Sequence, residues 1–223
     1  MGSSPVFLDP VVVPLVQGPK ILDVGCGFGR WGYLCLTNYW ETRVPSVVSR
    51  PEIVGCDGHL PNVEMARKNG CYAEVHHLRF PPLPFGDRSF DTVLMVEVIE
   101  HVAESEALQL IREAKRIARA RVIVSTPNYP ALRAGHATIT GFNELEAHVS
   151  CLSRQRLRRL GFSLFGAGWR PGSRYWRGLL RRLGAVEWYD KKVRSCLSSV
   201  SIALPFAAEQ IVGLWIRKTS HDE

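Results

Sequence analysis

Apolar runs alternate with helix-patterned stretches between Lys20 and Pro127, the rhythm of strands joined by helices into a mainly parallel sheet. Ile21–Val24 reads as a short buried strand that ends in glycines. Glu52–Cys56 reads as a second strand, stopped by Asp57 and Gly58, and Phe90–Val98 as a third. That third run is apolar on successive residues, as expected of a central strand covered on both faces. Arg121–Ser125 is the next strand, ended at Thr126 and Pro127, and Gln210–Arg217 the last. Helices are predicted over Leu60–Asn69, over Glu104–Ala118, where Leu108, Ile111 and Ala114 keep helical spacing, and over Ser153–Leu160, closed by Gly161. A loop with glycine, proline and histidine spans Asn128–Asn143.

This pattern predicts an α/β fold: a Rossmann-like, doubly wound, mostly parallel seven-stranded sheet with helices on both faces. At 223 residues the chain suits one domain. Its expected parts are an N-terminal helical cap (1–19), a core (20–126), a loop at the acceptor side (127–150) and a C-terminal half (151–223). The last part carries a basic insertion over 170–208.

Composition narrows the class. A hydrophobic content of 46% suits a packed core. The N-terminal apolar stretches are broken by Asp9, Pro10 and Pro14 and follow no basic region, which argues against a signal peptide. Ser195–Ala208 is too short to span a bilayer, so a soluble cytoplasmic protein is expected. The six cysteines form no CxxC pair and read as reduced thiols. The net charge of +7 is local: Arg154–Arg194 holds twelve Lys/Arg against Glu187 and Asp190, leaving the remainder at −3.

The chemistry starts at Asp23, Gly25, Cys26, Gly27 and Gly29. Alternating glycines let main chain approach a ligand at the C-terminal edge of the sheet, and the helix after them offers free N–H groups to a carboxylate. The acid at the strand end can face an ammonium. A second frame, Gly27-Phe-Gly29-Arg-Trp-Gly32, matches a dinucleotide GxGxxG but leaves Asp23 and Gly25 without a role. Cys26 reads as a packing residue.

Four runs then carry a resemblance. Ile21–Gly29 looks like the first motif of class I S-adenosylmethionine (SAM)-dependent methyltransferases, and Ile53–Asp57 resembles the second, whose acid receives the ribose hydroxyls. Leu83–Val102 resembles the approach to the fourth strand and that strand itself. Val122–Tyr129 resembles the fifth. The resemblance runs from about Lys20 to Phe162 and implies a SAM-dependent transferase with Asp23, Gly25, Cys26, Gly27, Gly29, Asp57, Gly58 and Glu97 at the donor.

Two departures stand out. Gly29 and Asp57 lie further apart than the roughly 20 residues usual between a glycine turn and its ribose acid, implying an insertion near Glu41–Pro51. Arg79 stands where the family carries an acid for adenine.

An acceptor would lie beyond the fourth and fifth strands, near Glu97, Glu100, His101, Asn128 and Tyr129. His101 is the expected base, with Glu97 and Glu100 beside it, because imidazole titrates near neutral pH. The Glu97-x-x-Glu100-His101 run resembles ubiquinone-pathway O-methyltransferases. It is also similar to metal-dependent small-RNA 2′-O-methyltransferases, in which His148 would complete a divalent-ion site. The metal-free arrangement, common in the wider family, is preferred. Thr126–Tyr129 has the wrong order for an amino-methyltransferase motif, and His136 and His148 bracket a loop expected to close over the acceptor.

Arg174–Gly184 reads as a basic amphipathic helix with Trp176, Leu179, Leu180 and Leu183 on one face. It could pack on the domain, rest on an anionic membrane to reach a lipid-like acceptor, or bind RNA phosphates. No RNA-binding module is visible, and nucleic acid is ranked last. The expected acceptor is therefore a small or lipid-like molecule, methylated at oxygen. A methyltransferase-like protein that binds without catalysis is the remaining alternative, opposed by the intact Asp23, Gly25, Gly27 and Asp57.

Overall fold

A computed structural model describes residues 4–42, 50–130, 132–139, 141–169, 181–184 and 200–218. Its main sheet has seven strands: β1 (Lys20–Val24), β2 (Glu52–Asp57), β3 (Glu74–His77), β4 (Phe90–Val96), β5 (Ala118–Pro127), β8 (Ser163–Trp169) and β9 (Ala208–Ile216). Their order is β3-β2-β1-β4-β5-β9-β8. The first five run parallel, whereas β9 is antiparallel to both of its neighbours. A separate hairpin joins β6 (His136–Thr138) to β7 (Gly141–Asn143). The expected Rossmann-like, mostly parallel seven-stranded sheet is therefore present.

The helices are α1 (Asp9–Val12), α2 (Arg30–Thr42), α3 (Leu60–Lys68), α4 (Glu104–Ile117) and α5 (Arg154–Arg159). Side chains that alternate along each strand divide between two cores. Leu22, Val24, Val93, Met95, Val122 and Val124 join Leu110 and Ile111 of α4 on one side. Ile21, Ile53, Leu94, Val96 and Ile123 join Trp31 of α2, Val63 of α3 and the N-terminal Leu8 and Val12 on the other. In α4 the buried face is Ala107, Leu110, Ile111, Ala114 and Ile117, a stripe at helical period. The Ser153 hydroxyl caps α5 by accepting the Arg156 N–H at 3.2 Å.

The structure shifts several expectations. β4 stops at Val96 and not at Val98, because Glu97 adopts a φ of 56° that ends the extended run. β3 and β8 join the sheet without having been foreseen, and β6–β7 occupies part of the expected loop. The segment before β1 is three short helical turns over Val6–Leu15. The expected insertion near Glu41–Pro51 lies largely outside the described residues, and so do residues 174–180 of the expected basic helix over 174–184. Among the described residues no helix is long and apolar enough to cross a membrane.

The chain leaves β1 for β2 on one side, while β4 pairs on the other, so connections diverge at the β1/β4 boundary. In open α/β sheets such a divergence opens a crevice beyond the carboxyl ends of the strands.

Candidate active site

The crevice opens there. Its walls come from the turn after β1 (Gly25, Cys26, Gly27), the end of β2 (Asp57, Gly58), the end of β4 (Glu97, Val98), His101, and Asn143, Leu145 and Glu146 of the following loop. The glycine turn is bonded to the end of β2. Gly25 and Cys26 donate their N–H groups to the Cys56 carbonyl at 2.8 and 3.0 Å, and the Gly27 N–H donates to Asp57 Oδ2 at 2.9 Å. Gly27 has a φ of 54°, and a Cβ built on it would meet nothing within 4 Å, so the absent side chain leaves bare main chain facing open space. At Gly25 a Cβ would stand 2.6 Å from Val98 Cγ2; close packing excludes a side chain there. Gly29 does not line the crevice; it immediately precedes α2, and its carbonyl accepts the Tyr33 N–H at 3.1 Å.

Asp57 is 8% exposed, and its carboxylate is organised from three sides. Oδ1 accepts the His59 N–H at 2.8 Å and the Asn62 side-chain amide at 3.3 Å, and Oδ2 accepts from Gly27. Burial raises its pKa, with those three donors opposing. The positions of Gly27, Asp57 and Gly58 fit a bound nucleoside: open main chain on one wall, an oriented carboxylate on the next. The Ser4 hydroxyl and carbonyl reach this wall too, both accepting from Arg30, with Trp31 Nε1 donating to the hydroxyl at 3.1 Å.

Asp23 takes a different place from the one its motif suggested. It is 1% exposed and does not line the crevice; it lies beneath the turn, where the Tyr72 hydroxyl donates to its Oδ2 at 2.6 Å. The same Tyr72 oxygen accepts the Gly32 N–H at 3.0 Å. Burial pushes the Asp23 carboxyl up to about 7, against the Tyr72 hydrogen bond. An aspartate so enclosed braces the turn from below. Tyr72 itself was missed in the sequence, although two glycines mark it: Cβ atoms at Gly32 and Gly55 would stand 2.4 and 3.0 Å from its ring. Cys26 is 3% exposed, and burial with the nearby Asp23 and Asp57 charges raises its thiol pKa, which suits packing and not nucleophilic attack.

On the opposite wall Glu97 is 9% exposed. Its Oε1 accepts the Ser125 hydroxyl at 2.7 Å, and its N–H donates to Ser125 Oγ at 3.0 Å. Burial pushes its carboxyl up to about 7, while Ser125 and the Arg133 charge pull the other way. Glu100 is 2% exposed, and burial together with the Glu97 charge raises it as well. His101 lines the crevice with Nδ1 3.0 Å from the Ala147 carbonyl, so Nδ1 carries the proton and Nε2 is the basic nitrogen. The His148 ring meets that of His101 edge-on at 4.8 Å.

Glu100, His101 and His148 each present a ligand atom within 4.8 Å of the others. Glu97 is outside that group and is held by Ser125. Asn128 and Tyr129 serve the fold: the Asn128 amide donates to Pro205 and Ala208 carbonyls, and the Tyr129 hydroxyl to that of Phe206. Arg79 pairs with Glu144 at 3.6 Å, and both are about three-quarters exposed.

A glycine turn, an oriented acid on β2 and a crevice at the sheet's divergence define a nucleoside-binding α/β protein. Residues 21–121 match the methyltransferase domain family. The chain is 38% identical over 106 residues to the human protein named probable tRNA methyltransferase 9B, covering 47% of this chain and 19% of that one. It is 31% identical over 100 residues to the ubiquinone biosynthesis O-methyltransferase of Mesorhizobium japonicum, covering 43% of this chain and 36% of that one. The chain thus spans about a fifth to a third of the length of these relatives. A SAM-dependent methyltransferase from Archaeoglobus fulgidus shares the fold, with a TM-score of 0.55 at 16% identity over 94% of this chain and 91% of that one. Residues 21–121 are thus similar to the methyltransferase domain family, within a sheet whose fold is shared with a SAM-dependent methyltransferase.

Proposed function

We propose that the protein transfers the methyl group of SAM to a small-molecule or lipid-like acceptor, at oxygen. The observation that carries this reading is the open main chain at Gly27 with Asp57 fixed beside it, in the crevice at the sheet's divergence where open α/β folds take their ligands. SAM supplies an activated methyl on a sulfonium, ready for in-line displacement. The chain's own part is positioning and proton transfer. Gly25 and Gly27 offer main chain to the donor, Asp57 takes a sugar hydroxyl, and Glu97 holds the end of β4 through Ser125. His101 Nε2, oriented by the Ala147 carbonyl on Nδ1, accepts the proton of the acceptor hydroxyl. Glu100, buried beside it, holds its proton and adds no charge that would compete with His101 for the acceptor. The ubiquinone-pathway relatives support an oxygen acceptor.

A second reading has one specific observation in its favour: the Glu100, His101 and His148 cluster, together with relatives named as tRNA methyltransferases. Here the three side chains would hold Mg²⁺ or Mn²⁺, lowering the pKa of an RNA 2′-hydroxyl. Its ligand set is one carboxylate and two imidazoles, with Glu97 left out.

One experiment separates these. The protein is incubated with SAM labelled in the methyl group, once with a cell's organic-soluble extract and once with its tRNA, each with and without chelator. Chelator-resistant label in the organic phase is the expected result; chelator-sensitive label in tRNA replaces it with the second reading. Calorimetry with the demethylated product, S-adenosylhomocysteine, tests the donor site directly. Binding that is weakened at least tenfold by Asp57→Ala is expected, and absence of binding to the unaltered protein overturns both readings.

A further inference from the structure

A nucleoside held by its sugar at Asp57 carries its nucleobase one bond away from that sugar, so the ring is covered by whatever flanks Asp57. Gly58, the next residue, has no side chain to offer. The place its Cβ would take is filled from a distant part of the chain. Leu145 Cδ1 stands 2.8 Å from that point, with the Leu78 carbonyl at 3.6 Å and Arg79 Cγ at 3.7 Å. A leucine from the turn after β7 thus takes the position of a side chain missing from the end of β2. The flat faces of a nucleobase are apolar and gain by burial against such a group.

Other apolar side chains of the crevice have a second employment. Trp31, Val96 and Val98 reach it, but each is at most 4% exposed and belongs to one of the two cores. Leu145 lines the crevice, is half-buried and joins neither core. The turn that carries it, Glu144–Glu146, is fixed at both ends. Asn143, buried on the crevice wall, accepts the Leu145 N–H on Oδ1 at 3.0 Å, and the Ala147 N–H donates to the Glu144 carbonyl at 3.1 Å. A large side chain held in place at the wall, outside both cores, offers its apolar surface to what enters the crevice.

We propose that Leu145 is the nucleobase-packing residue of the donor site, supplying from the turn after β7 the apolar surface that Gly58 withholds. The proposal rests on the SAM-donor reading above. It makes a loop of the acceptor side part of the donor site. Two residues further on, the Ala147 carbonyl holds the His101 ring. The turn that meets the nucleobase is therefore also the turn that orients the proton acceptor.

The test is calorimetry of the whole chain with S-adenosylhomocysteine, alongside the melting temperature of the ligand-free protein. Leu145→Ala should weaken binding about tenfold, on the order of one leucine's apolar contact, and leave melting unchanged. The decisive variant moves the side chain across the wall. Once Leu145 is alanine, a Cβ at Gly58 meets nothing nearer than 3.6 Å, so Gly58→Leu combined with Leu145→Ala should recover most of the lost affinity. Unchanged affinity in Leu145→Ala overturns the proposal and leaves the donor reading intact. A loss accompanied by lowered melting, or one that the double variant fails to recover, assigns Leu145 a structural part and overturns it too. No binding to the unaltered protein is the failure of the donor reading itself.

Discussion

The two walls of the crevice are built on opposite electrostatic plans. On the donor side the main chain supplies almost everything: Gly25, Cys26 and Gly27 bond to the end of β2, and Asp57 receives three donors. On the acceptor side Glu97 and Glu100 are buried near one another, and each is pushed towards its neutral form. Satisfied groups have one geometry and hold it. Crowded carboxylates exchange protons easily and respond to whatever enters. The donor wall is thus suited to a ligand of fixed shape, and the acceptor wall to chemistry.

Three changes would break or sharpen this contrast. The largest effect is expected from Gly27→Val, which puts a β-branched side chain at a φ of 54° and points it into the opening. Affinity for S-adenosylhomocysteine should fall at least a hundredfold by calorimetry; retained affinity would mean that the ligand does not lie against this turn. An intermediate effect is expected from Asp23→Asn, read as melting temperature against pH. The folded carboxyl titrates near 7 and the exposed one at 3.8. Between those values the folded protein keeps a proton that the unfolded chain has released. This contribution to stability is therefore full below the lower value and is lost as pH rises through 7. The variant should flatten that fall, and an unchanged slope would remove Asp23 as its source. The smallest effect is expected from Arg79→Ala. Its ion pair with Glu144 is largely exposed, so melting should drop by less than about 4 °C. A larger drop would show that the two walls are clamped together at this point.

How much was legible in the sequence follows from how local each signal is. β1, β2, β4 and β5 are covered on both faces and appear as unbroken apolar runs, and the glycines and Asp57 announce their turn because backbone geometry demands them. β3 is only four residues with two histidines, and β8 carries Gly166 and Gly168, so neither has a strand's usual composition. The Glu97, Glu100 and His101 run was readable as a group, but that Glu97 turns to Ser125 while His148 joins the other two depends on the loop's path. Tyr72 acts through contacts between distant parts of the chain, and nothing in its neighbours along the sequence distinguishes it from an ordinary surface residue.

β9 is late in the chain yet sits between β5 and β8. During synthesis β5 must wait for it with an open edge, and β8, which pairs with β9 alone, has nowhere to dock until residues 208–216 have left the ribosome. Shortening the chain ahead of Ala208 would leave a sticky unpaired strand in the middle of the domain, and aggregation should appear well before any defect in the crevice is felt.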